Sequence, residues 1–154
     1  MDTIMSGKFF NILIVEDNPG DVRLMQEALR EGSVPCRLHV APDGVAATAF
    51  LRRQGIYAEA PRPDFILLDL NVPRKHGSEV LADIKSDPAL RQIPVIVLTT
   101  SAAPHDIHKA YDLHANCYIT KPVDLEVFMR QIRLVKEFWC TMAQLPREDN
   151  HGQQ

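Results

Sequence analysis

Five short apolar runs recur along the chain, each followed by a stretch whose apolar positions fall three and four residues apart. "NILIVED" (11–17) leads into a helix from Pro19, with Asn18 as its cap and Val22, Met25 and Leu29 on one face. "CRLHVA" (36–41) leads into a helix over about 44–54, with Asp43 placed to cap it. "DFILLD" (64–69) precedes a helix near 78–85, which "SDP" (86–88) ends because proline cannot continue it. "IPVIVLTT" (93–100) precedes a helix near 105–113, and "NCYITKP" (116–122) a long one from about Asp124 to Met142. Strands and helices alternating at these lengths predict a parallel sheet covered on both faces.

The patterns also order the strands. The first, third and fourth runs are nearly continuous in apolar residues, as strands buried on both faces must be. The second alternates Cys36, Leu38 and Val40 with Arg37 and His39, and the fifth alternates Cys117 and Ile119 with Tyr118 and Thr120. Those two are edges. Right-handed crossovers then give the order 2-1-3-4-5, a flavodoxin-like doubly wound α/β fold of five strands. Ligands of such folds bind beyond the carboxyl ends of the strands, at the switch between strands one and three. Those ends deliver Glu16 and Asp17, Asp69, Thr99 and Thr100, and Lys121.

The chain has 154 residues, 45% apolar and 24% charged, which fits one folded domain. A net charge of −3 gives no footprint for nucleic acid or an anionic membrane. No apolar run nears the ~20 residues that cross a bilayer. "MDTIMSGKFF" lacks a signal peptide's apolar stretch, so a cytoplasmic location is expected. Cys36, Cys117 and Cys140 stand far apart and read as reduced, packed thiols. The expected organisation is an N-terminal arm (1–8), one domain (9–142) and a disordered tail (143–154).

The chemistry lies at the strand ends. A lone Asp there is ordinarily a turn former, and a lone Lys before Pro a solvated loop residue. Here all of them fall on one edge of adjacent strands. Clustered carboxylates repel one another unless a cation or an ammonium offsets them. Oxygen ligands without paired His or Cys favour a hard ion, Mg²⁺ or Mn²⁺. Lys121 supplies a compact positive charge and Thr99 a hydroxyl. A phosphoryl group on Asp69 would satisfy metal, ammonium and hydroxyl together, and a carboxylate is able to act as the nucleophile that takes one up.

"ILIVEDNPGD", "DFILLDLNVPRKHG", "IPVIVLTTS" and "CYITKP" resemble the motifs of bacterial response-regulator receiver domains, over about residues 9 to 142. The resemblance implies Asp69 as phosphoacceptor, with Asp17 and Asp69 as direct metal ligands and Asn71 giving its backbone carbonyl. Many members carry Asp where Glu16 stands, so the longer carboxylate is expected to reach the metal through water. Thr99 would bond a phosphoryl oxygen and Lys121 would form the ion pair. Tyr118 matches the aromatic switch position, and the Lys121–Pro122 bond one that is cis in the family. "EDNPGDVRL", "SDPALRQIP", "TTS" and "ANCYITKPVDLE" resemble a narrower group, the single-domain regulators partnered with cyanobacterial phytochromes, which are light-sensing histidine kinases. About thirty residues follow Lys121, too few for a DNA-binding effector. The expected function is therefore a stand-alone phosphoacceptor in a two-component phosphorelay, not an enzyme beyond self-phosphorylation and slow self-dephosphorylation.

Two rival readings remain. An aspartyl-phosphate hydrolase would need an acid–base Asp where Asn71 stands, and a scaffold that never takes phosphate would not need the complete acidic set, Thr99 and Lys121. His105 and His108 lie one turn apart without a third ligand and read as a solvated face. On the last helix, Leu125, Phe128, Ile132, Val135, Trp139 and Met142 form a stripe facing the sheet. Val127, Leu134, Phe138 and Leu145 form a second stripe, which reads as an interface or as a face covered by the tail. With Ile107, Tyr111 and Tyr118 it would make a two-fold homodimer contact, which the narrower resemblance also implies.

Overall fold

The computed structural model describes residues 9–146; the expected arm (1–8) and the expected tail beyond residue 146 lie outside them. In chain order the elements are β1 (Phe10–Val15), α1 (Pro19–Arg30), β2 (Cys36–Ala41), α2 (Gly44–Leu51) and a 3₁₀ turn (Gly55–Tyr57). They continue with β3 (Phe65–Leu68), α3 (Gly77–Ser86), β4 (Val95–Thr99), α4 (Pro104–Asp112), β5 (Cys117–Thr120) and α5 (Leu125–Glu137). The strands are parallel in the order β2-β1-β3-β4-β5, as the alternation predicted. Both faces of the sheet are covered by helices, which is the flavodoxin-like arrangement.

Alternate residues of each strand feed two cores, because successive side chains point to opposite faces. Leu13, Val15, Ile66, Leu68, Val95 and Val97 pack with residues of α2, α3 and α4. Ile12, Ile14, Phe65, Leu67, Ile96 and Leu98 pack with Met25 and Leu29 of α1 and Phe128, Ile132 and Val135 of α5. Each such side chain, fully buried, contributes about 1.5–3 kcal/mol. Every residue of β3 and β4 is buried, whereas β2 and β5 are only partly covered, which confirms them as edges.

The caps form as the sequence implied. Asn18 Oδ1 accepts from Asp21 N at 3.0 Å, and Asp43 Oδ1 from Ala46 N at 2.7 Å. α2 is shorter than expected and stops at Leu51, where Arg53 turns into the left-handed region (φ 55°). Two members of the sheet-facing stripe are exposed instead: Leu125 at 57% and Met142 at 70%. Leu125 opens α5 before the helix lies over the sheet. Beyond Glu137 the helix widens into a π turn, Phe138–Met142, whose extra residue per turn rotates Met142 off the stripe. Lys136, only 5% exposed, donates from Nζ to the Leu29 carbonyl (2.5 Å) and the Glu31 carbonyl (2.8 Å), fastening α5 to the end of α1. The three cysteines are partly buried and none forms a disulfide. Among the described residues no helix is long and apolar enough to cross a membrane.

Candidate functional site

Backbone ladders carry the site residues to one place. Glu16 N donates to Ala41 O (3.1 Å), Asp69 N to Val15 O (3.0 Å) and Lys121 N to Thr99 O (2.7 Å), so each side chain leaves from the first rung past its strand. Glu16, Asp69 and Thr99 are buried, while Asp17 faces solvent. The carboxylate oxygens of Glu16, Asp17 and Asp69 come within 4.8 Å of one another.

One ammonium meets this negative charge. Lys121 Nζ donates to Glu16 Oε1 at 2.5 Å, Asp21 Oδ2 at 2.9 Å and Asp69 Oδ2 at 3.2 Å. Burial works against the Lys121 charge, but the bonds to Glu16 and Asp21 and the Asp69 charge outweigh it and hold the ammonium above its ordinary value. Burial pushes the Glu16 carboxyl up to about 7, against the bond from Lys121 that pulls it down. Four carboxylates around one ammonium leave an excess of negative charge, all on hard oxygen donors. The cluster is thus able to hold a divalent metal ion such as Mg²⁺ or Mn²⁺.

The linkage for Glu16 has a definite sign. Its folded value lies above the ordinary 4.5, so between about pH 4.5 and 7 the folded state holds the extra proton. Stability from this group is full below pH 4.5 and is lost as pH rises through 7. Metal-free protein is expected to lose up to about 3 kcal/mol relative to Glu16→Gln between pH 5 and pH 8. Urea unfolding at a series of pH values measures this, and parallel profiles for the two proteins would contradict it.

The loop after β3 is built on close backbone approaches. Asn71 N donates to Asp69 Oδ1 (3.0 Å) and Asn71 Nδ2 to Thr99 Oγ1 (3.4 Å). Gly77 N closes the loop onto Leu70 O at 2.8 Å, and Gly44 N donates to Pro73 O at 3.3 Å. Lys75 Nζ bonds Thr48 Oγ1 (3.0 Å) and pairs with Asp83. Beyond Thr99, Ser101 N approaches the threonine hydroxyl (3.5 Å) and Ser101 Oγ donates to Asp106 of α4 (2.5 Å). Tyr118 donates its phenol proton to the Ser101 carbonyl at 2.9 Å, which joins the switch position to the strand end bearing Thr99.

Beside the site the structure corrects a further expectation. No cis peptide bond occurs among the described residues, so Lys121–Pro122 is trans. Trans is the intrinsically favoured X–Pro isomer by about 0.5–1 kcal/mol, and Lys121 reaches all three carboxylates with it in place. The sequence reading also missed Asp21. In "NPGD" it passes for an acid favoured by a helix N-terminus, and only the fold turns it toward Lys121, 100 residues away. Of the second stripe, Leu134 and Phe138 are exposed and Val127 is half-buried; Tyr111 is exposed and Ile107 half-buried on α4. Leu134 and Phe138 line a groove with Cys117 and Ile119 of the edge strand.

An acidic cluster, an ammonium and a hydroxyl on the carboxyl edge of a 2-1-3-4-5 sheet define a receiver. Residues 12–133 match the response regulator receiver domain, and the chain belongs to that family. It is 47% identical to the response regulator Rcp1 of Synechocystis sp. over 135 residues, 88% of this chain and 92% of that one. The crystal structure of the phosphorylated cyanobacterial phytochrome response regulator RcpA superposes with a TM-score of 0.89 at 51% identity, covering 91% of this chain and 100% of that one. The Mn²⁺-bound form of Rcp1 superposes with a TM-score of 0.87 at 46% identity, covering 90% and 99%. The chain is a response regulator closely related to those of phytochromes.

Proposed function

We propose that this response regulator accepts a phosphoryl group on Asp69 from a histidine kinase of the phytochrome type. The observation that carries the reading is Asp69 Oδ2 lying 3.2 Å from Lys121 Nζ, beside the Glu16–Asp17–Asp69 cluster. An Asp69 carboxylate oxygen forms the bond to phosphorus as the bond from phosphorus to the donor atom breaks. Lys121 then pairs with a phosphoryl oxygen, and the Thr99 hydroxyl donates to another. A divalent ion held by Asp17, Asp69 and the Asn71 carbonyl, with Glu16 reaching it through water, would neutralise charge on the phosphoryl oxygens. The phytochrome-type partner is supported by the likeness to RcpA and Rcp1. Incubation with such a kinase and labelled ATP tests the reading, and label that never leaves the kinase would refute it.

Asp17 belongs to the acidic cluster and faces solvent, where an ion arrives. Asp17→Ala is expected to weaken Mg²⁺ binding by at least about 10-fold, the loss of one charged ligand. Isothermal titration reads this directly, and an undiminished affinity would remove Asp17 from the ligand set.

The output surface in this reading is the face of α4, β5 and α5. Ile107, Tyr111, Tyr118, Val127, Leu134 and Phe138 are its members, and a C₂ homodimer formed there would bury each copy's stripe against the other's. The exposure of Leu134 (56%) and Phe138 (46%) supports it. Phosphorylation biases this face through Thr99, Ser101 and Tyr118. Leu134→Asp with Phe138→Asp should give a folded monomer by sedimentation that is still phosphorylated at Asp69. Wild-type protein that sediments as a monomer with and without phosphate would exclude the dimer.

A further inference from the structure

We propose that Asp21 is a positioning residue that holds Lys121 back from the place a phosphoryl group takes at Asp69; this rests on the phosphoacceptor reading above. A lysine ammonium has three protons to donate, and here three carboxylates take them: Glu16 at 2.5 Å, Asp21 at 2.9 Å and Asp69 at 3.2 Å. None is left for a new acceptor. A phosphoryl oxygen on Asp69 therefore engages Lys121 only by displacing an existing bond.

Burial decides which bond yields. The Glu16 side chain is 1% exposed, so water cannot take the place of the ammonium there. Asp69 is the group being modified, and its bond to Lys121 at 3.2 Å follows its charge to one phosphoryl oxygen, so a second bond to the phosphoryl group must come from Glu16 or Asp21. Asp21 is 28% exposed, so water replaces Lys121 there at the least cost. Its position does not depend on the lysine, since Asp21 sits in the first turn of α1 with its backbone N–H held by the Asn18 cap at 3.0 Å. The α1 N-terminus also favours its negative charge. Asp21 thus competes with the phosphoryl group for one proton of Lys121, and lies outside the three-carboxylate cluster that would hold a metal.

Beryllofluoride, a non-covalent phosphoryl mimic on carboxylates, tests this without turnover. With Mg²⁺ saturating, Asp21→Asn should bind it about 3- to 10-fold more tightly than wild type, and the affinity for Mg²⁺ alone should stay the same. In a Lys121→Ala background the same substitution should change nothing, because the effect acts through Lys121. An effect that persists there is plain loss of charge repulsion and overturns the proposal. The ζ-ammonium NMR signal of Lys121 in metal-free Asp21→Asn protein needs no second substitution. It should move from its wild-type position, and an unmoved signal overturns the proposal as well. Beryllofluoride binding that survives Asp69→Asn would instead defeat the phosphoacceptor reading. Binding that needs Asp69 but ignores Asp21 would defeat the positioning role alone.

Discussion

Asp69→Asn protein will take up no phosphoryl group from acetyl phosphate and Mg²⁺, while wild type gains the mass of one. The amide keeps the shape of the carboxylate but lacks the anionic oxygen that attacks phosphorus, so the loss should be complete rather than partial. The fold should survive. Asp69 is 7% exposed, and its backbone bond to Val15 O is untouched by the substitution. Its side chain accepts from Asn71 N and Lys121 Nζ, and the amide oxygen is able to keep one of those bonds. Removing a negative charge from a cluster of four carboxylates also relieves repulsion. Intact-mass spectrometry and a melting curve check the two halves. Phosphate found on the Asp69→Asn protein, and lost instead from Asp17→Asn, would move the acceptor to Asp17.

Gly77→Ala is expected to lower stability by about 2–3 kcal/mol, or roughly 5–10 °C in melting temperature. A Cβ at Gly77 would fall inside van der Waals distance of the Asp69 carbonyl oxygen and 2.6 Å from Leu70 Cα. Both obstacles are backbone, which cannot swing aside as a side chain does. Alanine's helix propensity would offset about 1 kcal/mol in a helix interior, less at this first helical position, so the clash wins. The loop must then shift where it carries Asp69 and Asn71, and phosphorylation at saturating Mg²⁺ should slow as well. A melting curve that superposes on wild type would show that the turn opens freely.

The order of the sheet was legible because burial leaves two different signatures. Strands covered on both faces, β3 and β4, are apolar at nearly every residue, and edges such as β2 alternate. The strand ends were legible for the same reason, since the first polar or charged residue after an apolar run marks the rim. That brought Glu16, Asp17, Asp69, Thr99 and Lys121 together on paper; the structure clusters the three carboxylates with Lys121 and ties Thr99 to them through Asn71 and the Lys121 backbone. Asp21 escaped because its role depends on a lysine from the far end of the chain. Met142 was misplaced because a periodic pattern assumes one helical pitch, and the π turn at Phe138–Met142 changes it. The trans Lys121–Pro122 bond escaped for a third reason: the expectation came from the family's habit rather than from any local feature of these residues.

Salt loosens exposed ion pairs such as Arg23–Glu27 on α1, since counter-ions screen their attraction within about 10 Å at 0.1 M. The Lys136 bond works by other means. Its acceptors, the carbonyls of Leu29 and Glu31, are neutral dipoles, and the ammonium lies out of reach of dissolved ions. Rising ionic strength therefore strips the outer face of α1 of its charge pairing while leaving its carboxyl end fastened to α5. The two helices keep that fastening from dilute buffer to brine.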